Sequence, residues 1–204
     1  SGRTAMVRLP NGDLRDVSPS RAVGGLAFAP KGLRLAVARY DGATLHWVNT
    51  EAPPQELVWK GAHAAAAFSP DGKYLVTTMQ ENALHGWRLS DGQDMRMTGY
   101  PGKVKSMHWS AKGRYLATSG ANAAILWPFF GKTGPMGQQP LQLGARGDQL
   151  VSQVACHPAE EVVAIGYQDG MVLVARFADS QEVLLRRPGG SPVSALCWDA
   201  GGTR

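Results

Sequence analysis

The stretch Ala66–Thr78, AAFSPDGKYLVTT, decides how the rest of the chain is read. An apolar run ends at Phe68, the turn formers Ser69-Pro70-Asp71-Gly72 follow, and a second run, Tyr74–Thr78, alternates with a period of two. That pattern is a strand, a tight turn and a returning strand.

The pattern recurs along the 204 residues. LAFAPKGLRLAVA starts at Leu26, MHWSAKGRYLATS at Met107, VACHPAEEVVAIG at Val154, and a shorter LCWDAGGTR at Leu196. Anchored on the residue before the turn, the copies fall at Phe28, Phe68, Trp109, Cys156 and Trp198, in steps of 40, 41, 47 and 42. Seven residues past each complete anchor stand Leu35, Leu75, Leu116 and Val163, and nine past stand Val37, Thr77, Thr118 and Ile165. Alternate positions on a strand share a face, so this set is expected to line a core. About nineteen residues past the anchor a third strand ends in Trp47, Trp87 and Trp127, with Ala175 in the fourth copy.

A supersecondary unit repeated about every 40 to 45 residues and closed by a tryptophan resembles the WD-repeat family of β-propellers. The Asp of the family's Trp-Asp dipeptide is replaced throughout, by Val48, Arg88, Pro128 and Arg176, while Asp41 and Asp169 match the acidic turn before the third strand. The resemblance implies an all-β chain, a propeller of four-stranded antiparallel blades. The expected divisions are 1–18 as the end of a blade, complete blades over 19–60, 61–101, 102–147 and 148–190, and 191–204 as the start of another. On this reading the chain is part of a larger ring, of seven blades as the family commonly has; the alternative is a five-bladed closure that pairs 1–18 with 191–204 and leaves that blade without its second strand. The Ala-, Gly- and Arg-rich repeats are similar to bacterial members of the family.

Composition narrows the function. Basic residues give a net charge of +5, but acids are interspersed with them, so a nucleic-acid track is not expected. Cys156 and Cys197 form neither a disulfide framework nor a Cys-x-x-Cys pair, and a reducing, cytoplasmic setting is the expectation. No apolar run is long enough for a membrane span. His46, His63, His85, His108 and His157 show no metal-ligand spacing, and no metal or cofactor is expected. Gly131-Lys132-Thr133 lacks the upstream glycine of a phosphate loop, whose place is taken by Leu126.

With no convergent catalytic set, the resemblance implies a non-enzymatic scaffold that presents loops to a protein partner. The expected contacts are Phe129, Phe130 and Lys132, in the insertion 129–140, and Tyr40, Gln80, Tyr167 and Gln168, near the turns before the third strands. A small ligand or a hydrolytic site in a central channel is the alternative from another functional class, and weak nucleic-acid binding by basic turns is a third.

Overall fold

A computed structural model describes residues 2–131 and 133–203. Sixteen strands, all in antiparallel pairs, and no helix occur among them, and they divide into two compact units, Ser1–Met97 and Thr98–Arg204. The chain is all-β, as the repeat pattern requires.

The first unit opens with a hairpin of β1 (Met6–Arg8) and β2 (Leu14–Asp16). A sheet follows in the order β3 (Val23–Phe28), β4 (Arg34–Trp47), β5 (Gln55–Phe68), β6 (Tyr74–Met79), β7 (Leu84–Arg88) and β8 (Asp94–Met97). Its two 14-residue runs are not straight strands. The Val48 amide donates to the Leu33 carbonyl at 2.8 Å, whereas fifteen extended steps of about 3.3 Å would part these residues by about 50 Å. β4 therefore doubles back, and it does so at Asp41-Gly42, whose φ values of 64° and 129° are left-handed. The first half of β5 pairs with the returning half of β4, through Ala43↔Leu57 and Leu45↔Gln55, and its second half pairs with β6. Two four-stranded meanders thus share this sheet, and the expected division between residues 60 and 61 falls inside β5.

The second unit holds two separate four-stranded sheets. One runs β9 (Met107–Trp109), β10 (Tyr115–Thr118), β11 (Ala124–Pro128) and β12 (Leu141–Leu143); the other runs β13 (Val151–Cys156), β14 (Val162–Tyr167), β15 (Val172–Arg176) and β16 (Glu182–Arg186).

The repeat read from the sequence is a repeat of hydrogen bonds. Each anchor pairs with the residue seven further on: Phe28↔Leu35, Phe68↔Leu75, Trp109↔Leu116 and Cys156↔Val163. The four first turns close with one bond, from the amides of Ala29, Ser69, Ser110 and His157 to the carbonyls of Arg34, Tyr74, Tyr115 and Val162, each at 2.9 Å. The third strands close against the second at 2.7–2.9 Å, from Val48, Leu89, Phe129 and Phe177 to Leu33, Lys73, Arg114 and Glu161. All eight residues at the two alternating positions are buried.

The repeat is uneven in two places. Phe28 is 60% exposed: Val7 and Val17, from the first hairpin, pack against Leu35 and Val37 and leave it open. Ser191–Arg204 carries no strand among its described residues; it is tied by isolated bonds, among them those from the Val193 amide to Tyr167, from Ser152 Oγ to the Val193 carbonyl, from Trp198 Nε1 to Ala155 and between His157 Nε2 and the Gly202 carbonyl, and isolated bonds do not make a ladder.

Candidate functional site

The expected partner contacts separate into surface and interior. Tyr40 is 48% exposed with the Arg21 guanidinium 5.3 Å from its ring centre, and Gln80 and Gln168 are exposed. Phe130 is 40% exposed, flanked by the Tyr115 ring edge and the Arg114 guanidinium. Phe129 is not a surface contact: at 6% exposure it packs edge-on against Trp109, 4.6 Å between centroids, because it continues the third strand into the core. Tyr167 is also interior, its hydroxyl donating to the Gly144 carbonyl. Lys132 lies outside the described residues.

The repeat's marker residues serve the fold. Trp87 is buried, and Trp47 and Trp127 are half-buried. Asp169 caps its own turn, accepting from the Met171 amide at 3.0 Å. Asp41 reaches away from its turn and accepts from the Gly61 amide at 3.3 Å.

Two buried polar relays sit in the core, both built on the threonine nine residues past an anchor. In the second unit every bond has one direction. The Thr118 hydroxyl donates to the Ile125 carbonyl at 3.0 Å, so it accepts from Tyr100 at 2.6 Å, and Tyr100 accepts from Trp127 Nε1 at 2.5 Å. In the first unit Thr77 lies 2.7 Å from His63 Nδ1 and 3.2 Å from the His85 carbonyl, while His63 Nε2 is 3.1 Å from the Trp59 carbonyl. A neutral imidazole has one N–H. If it donates to Trp59, Thr77 must donate to Nδ1 and the His85 carbonyl loses that proton; the relay is one proton short. Threonine at a position filled elsewhere by Val37 and Ile165 was the available sequence signal, since a buried hydroxyl needs partners.

Beside the first relay His85 is fully buried, stacked on Trp59 at 4.1 Å, with neither ring nitrogen hydrogen-bonded among the described residues. Asp94 Oδ2 is 3.3 Å from Nε2 but off the hydrogen-bonding direction. Burial drives the His85 pKa down to about 4, outweighing Asp94, and lowers that of His63. Burial also raises the Tyr100 phenol and the Cys156 thiol to about 12 each, which keeps both protonated and Cys156 unreactive.

The second unit also carries a cleft of about 580 Å³ where its chain enters successive repeats, lined by Lys103, Lys105, Ser119, Gln153, Gln168 and Ser194 among others. No group of three or more His, Cys, Asp or Glu side chains among the described residues could hold a metal, and no helix among them is long and apolar enough to cross a membrane. No protein-family model matches the chain, and comparison with curated proteins returns no match.

Proposed function

We propose that the four-stranded meanders are blades of a WD-repeat-type propeller and that the protein is a non-enzymatic scaffold binding a protein partner through its exposed loops. The observation that carries this reading is the shared register within and between repeats. The end of one second strand meets the next repeat's first segment at Tyr40↔Ala62, from the Gly120 amide to Val151, and from the Val193 amide to Tyr167. A framework that repeats its backbone bonds while its turns vary suits recognition by loops. The contacts assigned to the partner are Tyr40, Gln80, Phe130 and Gln168; the buried Phe129 and Tyr167 are not among them.

Affinity capture from the native lysate, with nuclease treatment and graded salt washes, tests the reading. A stoichiometric protein is expected with the native chain and lost when those four residues become alanine in a folded variant. Capture of nothing at any salt, or equal capture by the variant, would remove the scaffold or the assigned surface respectively.

A further inference from the structure

The first hairpin leaves an open strand edge beside an apolar groove. β1 pairs with β2 alone. The Ala5 carbonyl and the Leu9 amide, on either side of β1, bond to Val17 and Asp13 of the other arm. Backbone groups alternate along a strand, so those of Val7 also point at β2 and those of Met6 and Arg8 point to the open edge. Along that edge lie two adjoining cavities, of about 240 and 630 Å³, that share Val7, Arg8 and Phe28. Leu26 and Met6 line the first and Leu33 the second, and all three are exposed. Arg8 is the sole charged residue among the described lining.

The other repeats show what such a place holds. Phe68 shares a core cluster with Ala36, and Cys156 shares one with Ala117, each alanine standing on the preceding second strand. Ala117 is paired opposite Leu126 of the third strand. Val7 packs with Leu35 and Val37 as Leu126 packs with Val163 and Ile165. Val7 therefore holds the place of Leu126, and no strand lies opposite it on the Phe28 side among the described residues.

We propose that this groove takes an extended segment of a partner polypeptide, added to β1 as an antiparallel strand, with a small apolar residue opposite Val7 and a carboxylate beside it, opposite Arg8. Pairing to the Met6 and Arg8 backbone fixes the register, and Phe28 and Leu26 supply the apolar contact. A second copy pairing through its own β1 would bring no acid to Arg8, since that strand holds only Met6, Val7 and Arg8. None of the four residues assigned to the loop surface lines the groove, so the two surfaces stand or fall separately.

Titration of the full chain with the peptide GRYEATSG, to about 1 mM, tests this. The peptide is residues 113–120 with glutamate in place of Leu116, which puts glutamate opposite Arg8 when the alanine faces Val7. Saturable binding is expected, with the Met6 and Arg8 amides gaining hydrogen-exchange protection while Val7, already bonded to β2, keeps its own. Phe28→Gln should bind about ten-fold more weakly or worse, and Leu184→Gln, at another exposed apolar position, should bind as the native chain does. Should Phe28→Gln fail to fold, the peptide GRYKATSG takes its place and should bind the native chain more weakly than GRYEATSG. No binding at that concentration, equal binding by Phe28→Gln, equal binding of GRYKATSG, or protection of Met6 and Arg8 by self-association without peptide would each overturn the proposal.

Discussion

The Thr77 relay of the first unit and the Thr118 relay of the second occupy the same place in their repeats and differ in the ring that completes them. Tyr100 brings one donor and one acceptor, so donation runs from Trp127 to Ile125 without conflict and no member titrates near neutrality. His63 brings a ring that satisfies both Trp59 and Thr77 fully only when it is charged, in a setting that disfavours charge. One backbone position therefore supports a pH-independent lock in one unit and a pH-sensitive one in the other. The identity of one buried ring makes that difference.

The largest test is acid. The His85 pKa falls from its ordinary 6.5 to about 4 on folding, so between these values the unfolded chain binds more protons than the folded one. Stability of the first unit is full above about pH 6.5, falls as pH drops toward 4, and loses roughly 3 kcal/mol over that window. Hydrogen exchange should show β6–β8 losing protection before β10 and β11, since the large histidine shift belongs to His85 of the first unit, while His108 of the second, whose Nδ1 accepts from the Cys156 amide at 3.1 Å, is lowered by burial to a smaller extent. His85→Leu should remove the larger part of the response and leave the part that His63 contributes, without weakening the unit at neutral pH, because neither replaced nitrogen had a hydrogen-bond partner among the described residues. Equal acid sensitivity in both units would dissolve the contrast.

Thr118→Val comes next. It strands the Tyr100 hydroxyl proton in the interior and removes the donor to Ile125, at a cost of about 2 kcal/mol in the denaturant unfolding of the second unit. Thr77→Val should cost the first unit less, about 1 kcal/mol at pH 7.5, since its relay is already a proton short. A larger loss from Thr77→Val than from Thr118→Val would show that His63 is charged at that pH.

Much of this fold was legible because its determinants are local. A turn former placed before a period-two run fixes a hairpin, and the pairing of every anchor with the residue seven further on follows from turn length alone. The candidate site was less legible. Phe129 and Phe130 are adjacent and chemically identical, yet one is core and one is surface, because alternation sends them to opposite sides and only packing shows which side is covered. Nothing in the sequence around His63 revealed that Thr77 awaited it from another strand.

The sequence by itself determined the repeat, the hairpins and the face of each second strand that turns inward. Only the tertiary structure decided which faces are covered and which buried polar groups find partners. Phe28 and Phe68 hold the same repeat position, and one is 60% exposed while the other is buried. Strand periodicity and turn chemistry act over a few residues, whereas burial is a property of whatever sheet comes to lie against the strand, and that neighbour is supplied by distant parts of the chain.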